Sequence, residues 1–138
     1  MSARERVLRS DHFDLRLKNL TALALDSHPE ISPQSFALGA VGGYGRGELF
    51  PGSDLDFIII TESDPESFQP FVQSLLYPLW DEGTKIDYSV RTHRQTLEMA
   101  RTDIKVLMGL LNLRLLAGSE MIVETLGKEV EKLWQSQA

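Results

Sequence analysis

The fold of this chain is decided by residues 41–56, which read VGGYGRGELFPGSDLD. A short apolar strand, predicted over residues 36–41, leads into four glycines within the six positions 42–47. Glycines cluster where the backbone takes an unusual path or approaches a ligand closely, and amides exposed in such a turn can bind phosphate oxygens. Asp54 and Asp56 then begin a second strand, predicted over residues 55–61, on which side chains two apart share one face.

Two carboxylates together at the start of a buried strand repel each other, and a bound cation would neutralise their charge. Magnesium is commonly held by one or two carboxylates plus substrate phosphates, and two metals about 4 Å apart can clamp an in-line phosphoryl displacement. An Asp-x-Asp pair alone is more often a capped turn or a solvated pair, but the glycine turn beside it favours the metal site. A Walker loop and a dinucleotide fingerprint both fail, because Glu48 and Leu49 occupy positions that those motifs reserve for other residues.

Composition narrows the class of protein. The 138 residues suit one globular domain with a buried core, and no apolar run is long enough to span a membrane or to form a signal sequence. The net charge of −6 disfavours nucleic acid as a partner, and the absence of cysteine removes disulfides and thiolate metal sites. We therefore expect a cytoplasmic protein without membrane or nucleic-acid partners, whose metal is a hard cation held by carboxylates.

Periodicity predicts helices on either side of these strands. We expect a helix over 3–27, a loop over 28–35, a helix from a capping box at 63–66 towards Trp80, and a strand over 84–90. Pro78 should kink or end its helix. After a second capping box at 92–95, the predicted elements are a helix towards Arg101, an apolar helix over 103–117 and a helical tail from Ser119.

These elements predict an α/β or α+β domain, a small mixed sheet flanked by helices. The single domain over 1–138 divides into an N-terminal helix and loop (1–35), a catalytic sheet (36–91) and C-terminal helices (92–138). The sequence ends without a clear stop signal, so we expect a piece of a longer protein.

The sequence resembles the polymerase-β-like nucleotidyltransferase superfamily through the motifs at 43–49 and 53–56, a glycine turn followed by Asp-x-Asp. More closely, it resembles the N-terminal domain of the bacterial P-II uridylyltransferase/uridylyl-removing enzymes. That resemblance continues through the motifs at 79–81, 89–92 and 112–118, and so spans roughly residues 37–120.

The resemblance implies transfer of UMP from UTP to a tyrosine hydroxyl of the P-II nitrogen regulatory protein, with magnesium or manganese. Related enzymes transfer AMP, so ATP is an alternative donor. The chain lacks the His-Asp pair of the family's hydrolytic domain, so removal of the nucleotide and sensing of small molecules are not implied. Where the family often has Gly-His, this sequence has Asp87-Tyr88, so the role of Asp87 in metal binding or as a base is an independent hypothesis.

The candidate catalytic and metal-binding residues are Asp54, Asp56 and Asp87. The candidate residues for nucleotide and phosphate binding are Gly42, Gly43, Tyr44, Arg46, Ser53 and Arg91.

Several side chains keep alternative interpretations. Tyr44 could meet the triphosphate through its hydroxyl or its amide, and an ion pair with an aspartate is as good an interpretation of Arg91 as phosphate binding. Lys105 and Arg114 could face the nucleotide, although a solvated helix face is favoured for both. Trp80 is expected in the core with its helical neighbours Phe71 and Leu75. Two competing functions are a non-catalytic nucleotide-binding module and a nucleotidyltransferase acting on a small molecule.

Overall fold

The computed structural model describes residues 2–137, so that Met1 and Ala138 lie outside the described residues. Along the chain the elements are α1 (Ala3–Ser27), β1 (Phe36–Ala40), α2 (Gly42–Gly45), β2 (Leu55–Thr61), a 3-10 turn (Pro65–Phe68), α3 (Gln69–Asp81), β3 (Ile86–Thr92), α4 (His93–Thr102), α5 (Ile104–Leu110), β4 (Arg114–Gly118) and α6 (Glu120–Ser136). No helix within 2–137 is both long and apolar enough to cross a membrane.

The four strands form one mixed sheet in the order β3-β2-β1-β4. β1 pairs antiparallel with both β2 and β4, whereas β2 pairs parallel with β3. The predicted fold class, a small mixed sheet flanked by helices, is confirmed. The β2 strand spans the predicted residues, because its apolar, β-branched sequence suits a strand buried on both faces.

Helices cover both faces of the sheet. On one face, Phe36, Phe57 and Ile59 pack with Leu17 of α1 and Leu75 of α3. On the other face, the side chains come from the alternate positions of β2 and pack against α4, α5 and α6. This second cluster includes Ile60, Leu97, Leu107 and Leu126, with Ile58 at its margin. The two-residue period of β2 therefore sends alternate side chains into two separate cores.

The helix boundaries follow local capping, with two corrections. Thr92 and Gln95 form the predicted capping box of α4. Asp64, however, caps the 3-10 turn, and α3 begins only at Gln69. Pro78 does not end α3, which continues to Asp81, because a proline near the end of a helix removes only one internal hydrogen bond.

Two further predictions are wrong: the single helix over residues 103–117 and the burial of the Trp80 side chain. The apolar run 103–117 is not one helix, since α5 ends at Leu110 and β4 follows as a strand on the free edge of β1. The region 92–138 therefore contributes a strand to the sheet as well as helices. Trp80 is 44% exposed rather than buried in the core, although Phe71 and Leu75 are buried as expected. It lies at the end of α3, with its ring centroid 6.1 Å from that of Tyr88.

Gly118 at the end of β4 generates a stability prediction. Its φ is +89°, and a Cβ there would lie too close to the Phe36 carbonyl oxygen for any normal contact. Gly118→Ala should therefore lower the free energy of unfolding by about 2 kcal/mol or more. Gly127→Ala is the matched control, because a Cβ at this position in α6 meets no atom within 4 Å. The control should stabilise the protein by about 0.5–1 kcal/mol through helix propensity. Urea unfolding of both variants measures the difference, and equal effects would contradict the prediction.

Candidate functional site

Asp56 and Asp87 are neighbours across the parallel pair of strands. In the register of β2 with β3, Asp56 is the Cα partner of Asp87, and Ile58 is the partner of Ser89. Side chains at paired positions of neighbouring strands lie on the same face of a sheet. Both carboxylates line one cavity of about 460 Å³, which opens on the face covered by α4 and α5. Asp87 lies within a strand, as predicted, although β3 spans Ile86–Thr92 rather than residues 84–90.

The environment of Asp56 disfavours its ionised form. Burial raises the pKa of Asp56 to about 6, and the charges of Asp87 and then Asp54, together with a hydrogen bond to Asp87, act in the same direction. No aspartate of this group forms an ion pair within residues 2–137. A carboxylate kept short of compensating charge in this way is well suited to bind a cation.

Contrary to the prediction, Asp54 does not begin the strand together with Asp56, because β2 begins at Leu55. It is exposed in the loop before β2, outside the set of residues that line the cavity, and acts on Asp56 through its charge. Within the described part of the chain, no group of three or more acidic or histidine side chains is close enough to hold a metal ion. Binding of one ion by Asp54, Asp56 and Asp87 together therefore stays a prediction.

The glycine run forms the short helix α2 rather than an open turn between two strands. Gly42 lines the cavity with φ at +59°, and a Cβ there would lie 3.6 Å from Asp56 Oδ2. Gly45 packs so tightly on the Asn112 carbonyl that a side chain could not fit. The amides of Gly43 and Tyr44 donate to no backbone carbonyl of residues 2–137, as is usual in the first turn of a helix, but neither residue lines the cavity.

The Tyr44 side chain does not face the cavity. It is 2% exposed and belongs to the core cluster beneath α1 and α3. Burial first, and the neighbouring Asp14 carboxylate second, raise the pKa of the Tyr44 phenol far above its usual range. No hydrogen bond of normal geometry joins the hydroxyl to a partner within 2–137. The prediction that this hydroxyl meets a triphosphate is therefore wrong, and only the amide of Tyr44 stays a candidate.

The remaining predicted residues separate into two groups. Arg91 lines the cavity with the carboxylates, and Lys105 of α5 lines it as well. Neither cation forms an ion pair within residues 2–137, so the alternative of a surface ion pair for Arg91 is not seen. Arg46 and Ser53 are exposed in the loop between α2 and β2, outside the cavity lining.

Sequence reasoning placed Arg114 on a helix facing either nucleotide or solvent, and both interpretations are wrong. Arg114 lies on β4 and binds Asp14 of α1, away from the cavity. Its only sequence signal was the motif at 112–118. Gly109 of α5 is a cavity residue that no pattern singled out.

Comparison with known proteins identifies the family of this chain. The family model described as a nucleotidyltransferase domain matches residues 25–108. A bifunctional uridylyltransferase/uridylyl-removing enzyme of Streptomyces coelicolor is 42% identical over 123 residues, which cover 88% of this chain and 14% of that relative. The enzyme of the same name from Mycobacterium tuberculosis is 32% identical over 146 residues, covering 97% of this chain and 18% of that relative. The chain thus spans less than a fifth of these relatives' length.

Solved structures show the same fold. A toxin–antitoxin MntA–HpeT mutant matches with a TM-score of 0.53 and 13% identity, over 86% of this chain and 87% of that one. A toxin–antitoxin structure with AMP-PNP also matches with a TM-score of 0.53, at 16% identity and with the same coverage.

The raised pKa of Asp56 gives a pH-dependent stability prediction for the metal-free protein. The folded-state pKa of Asp56, about 6, lies above the usual 3.8, so ionising this side chain destabilises the folded protein. This destabilisation is absent at low pH and develops as the pH rises from about 4 to about 6. Asp56→Asn should therefore stabilise the protein by about 1 kcal/mol at pH 8, a value reduced for partial solvent screening.

The same variant should match wild type below about pH 4. Thermal unfolding at pH 3.5 and pH 8 in the presence of a chelator measures the difference. Asp11→Asn, at an exposed position in the middle of α1, is the control and should show no such pH-dependent gain. A destabilised Asp56→Asn at pH 8 would contradict the strain inferred at this site.

Proposed function

The chain belongs to the nucleotidyltransferase domain family, and on this premise we propose that it transfers UMP from UTP to a tyrosine hydroxyl of the P-II nitrogen regulatory protein. The single observation that carries a catalytic role is the pairing of Asp56 with Asp87 in a cavity that also holds Arg91. Similarity to relatives named uridylyltransferases supports UTP as the donor, and ATP is the alternative. Such a reaction uses cytoplasmic substrates, so we propose a cytoplasmic protein.

The cavity contains groups of both signs, as a metal–triphosphate complex requires. Asp56 and Asp87 occupy neighbouring strands, and Arg91 lies four residues further along β3 on the same face as Asp87. Lys105 approaches from α5. The carboxylates of Asp56 and Asp87 suit a hard metal cation. The basic side chains of Arg91 and Lys105 suit the phosphate oxygens.

The carboxylates fit a divalent ion, magnesium or manganese. Asp56 would be a direct ligand, because it lines the cavity and forms no ion pair within residues 2–137. Two carboxylates with substrate phosphates are a normal ligand set for magnesium, and Asp54 would supply the second carboxylate from the exposed loop before β2. The ion would neutralise charge on the transferred phosphoryl group.

The reaction is a displacement at the α-phosphorus. The acceptor oxygen forms the new bond to phosphorus, the bond to the oxygen bridging the α- and β-phosphates breaks, and pyrophosphate leaves. Because a tyrosine phenol titrates near 10, a group in the site must take its proton at neutral pH. Asp87 is exposed at the cavity and is positioned to accept that proton, whereas the more buried Asp56 is better suited to metal binding.

The amides of Gly43 and Tyr44 and the side chains of Arg46, Ser53 and Arg91 would bind the triphosphate. The first two lie in α2, directly before the loop that carries the next two. Because Arg46 and Ser53 are exposed, they can turn towards a bound nucleotide without breaking an internal ion pair.

A transfer assay with P-II and each of the four nucleoside triphosphates tests the donor and the acceptor together. Asp56→Asn should abolish metal-dependent transfer while the protein stays folded, because a neutral amide holds a divalent ion poorly. The control Asp11→Asn makes the same chemical change on α1 and should keep full activity. Near-normal transfer by Asp56→Asn would overturn the proposal. Pyrophosphate release without labelled P-II would point to another acceptor, including a small molecule. Nucleotide binding without turnover would identify a non-catalytic module.

The roles of the other two carboxylates are separable. Asp87→Asn should slow single-turnover transfer by about 10²–10⁴-fold, as expected for loss of a positioned base, with only a modest loss of nucleotide affinity. Asp54→Asn should weaken both binding and transfer. Rapid-quench rates and calorimetric affinities measure the two quantities. Transfer at the wild-type rate by Asp87→Asn would show that Asp87 takes no part in the reaction.

A further inference from the structure

Arg114 joins three elements at one point outside the cavity. Its Nη1 donates to Asp14 Oδ2 at 2.5 Å and its Nη2 to Asp14 Oδ1 at 3.2 Å, so the guanidinium and the carboxylate of α1 form a two-pronged pair. The same guanidinium donates through Nη2 to the Tyr44 carbonyl at 2.8 Å and through Nε to the Gly45 carbonyl at 3.2 Å. Arg114 of β4 therefore binds α1 and the end of α2 at once.

The two carbonyls that Arg114 binds lie at the C-terminal end of α2, where helix carbonyls carry partial negative charge, and that of Tyr44 also accepts from the Gly47 amide. A guanidinium satisfies them with fixed geometry, and Asp14 fixes the guanidinium in turn. Both side chains are largely withdrawn from solvent, with 32% of the Arg114 side chain and 17% of the Asp14 side chain exposed. The pair is thus better shielded than a typical surface ion pair.

The opposite end of α2 lies beside Asp56. The Val41 amide donates to the Asp56 carbonyl at 3.2 Å, and Gly42 lines the cavity beside the Asp56 side chain. Only one helical turn separates Gly42 from Gly45. A shift of the Gly45 end would therefore move Gly42 and the free amides of this turn relative to Asp56.

We propose that Arg114 and Asp14 are positioning residues that hold the Gly42–Gly45 turn in the geometry that binds a triphosphate beside Asp56. On this proposal α1 and β4 set nucleotide affinity although Asp14 and Arg114 do not line the cavity. The identity of the ligand rests on the proposed function, whereas the positioning of the turn does not.

A second ion pair supplies a matched control. Arg16 of α1 pairs with Glu82 at the end of α3, and it too is a guanidinium–carboxylate contact that ties α1 to another element. Arg16 has no hydrogen bond to α2. A purely structural role for Arg114 therefore predicts similar consequences for the two arginines, whereas a positioning role predicts different ones.

The first test compares Arg114→Lys with Arg16→Lys in the whole chain. Lysine keeps the charge but cannot donate to two carbonyls and both carboxylate oxygens at once. Arg114→Lys should raise KM for the metal–triphosphate about tenfold and change kcat less than about threefold. Asp14→Asn should act in the same direction, because it leaves the guanidinium without its carboxylate. Arg16→Lys should leave KM unchanged.

The second test needs no activity and measures amide hydrogen exchange. The amides of Gly45, Arg46 and Glu48 are protected by bonds to Val41, Gly42 and Gly43. Arg114→Lys should accelerate their exchange about tenfold and leave the amides of β2 unchanged, whereas Arg16→Lys should change neither set.

The proposal requires both results. It is overturned if the turn stays protected, if exchange in β2 accelerates equally, or if KM is unaltered in an active enzyme. A wild-type chain that transfers no nucleotide would instead count against the proposed function. In that case, exchange together with the affinity for a non-hydrolysable UTP analogue decides the positioning role, and unaltered affinity overturns it.

Discussion

Parallel pairing of β2 with β3 places Asp56 beside Asp87, and the geometry of the site depends on this register. The register is set by the apolar side chains between the carboxylates and the far ends of the strands. A slip of one residue would turn Ile60 out of the second core and Phe57 out of the first. Each buried side chain of this size stabilises the fold by about 1.5–3 kcal/mol, so several of them together outweigh the repulsion of two partly solvated carboxylates. Burial of these apolar side chains therefore keeps Asp56 next to Asp87 despite the repulsion between the two carboxylates.

The second constraint is steric and acts at α2. Gly45 lies against the Asn112 carbonyl and Gly42 beside Asp56, so the turn is confined between the start of β4 and the carboxylate strand. Hydrogen bonds add to this steric confinement, because Arg114 binds the carbonyls of Tyr44 and Gly45 at the end of the turn. The same short segment is therefore closely packed at Gly45, whereas the amides of Gly43 and Tyr44 donate to no backbone carbonyl within residues 2–137.

The parts of this structure that could be predicted are those governed by local pattern. The bounds of β2 follow from its apolar, β-branched sequence, and the start of α4 follows from its capping box. The period of two did not place Asp54 in the cavity with Asp56, because β2 begins only at Leu55, and the pairing of Asp56 with Asp87 depends on a register that no local pattern gives. β4 could not be distinguished from a helix, because the apolar residues of 106–116 satisfy both periods and only pairing with β1 decides between them.

Long-range contacts explain the remaining errors. Misassigning β4 also misplaced Arg114, since its partner Asp14 is 100 residues away along the chain. The burial of Tyr44 likewise depends on α1 and α3, which no pattern near the glycines encodes. Trp80 lies on an apolar helix but near its exposed end, where periodicity no longer implies burial.

Because β2 and β3 run parallel, the chain must return to the end of the sheet at which β2 begins before β3 can start. The 3-10 turn and α3 make that return, and α3 packs on α1 and on the sheet. Closing so long a connection is entropically unfavourable and is expected to be slow relative to local contacts. Asp56 and Asp87 should consequently meet only in the last stage of folding, after α3 has docked. A divalent cation that binds Asp56 in the cavity completed by β3 would then bind the folded domain in preference to its folding intermediates, and would stabilise the domain against unfolding.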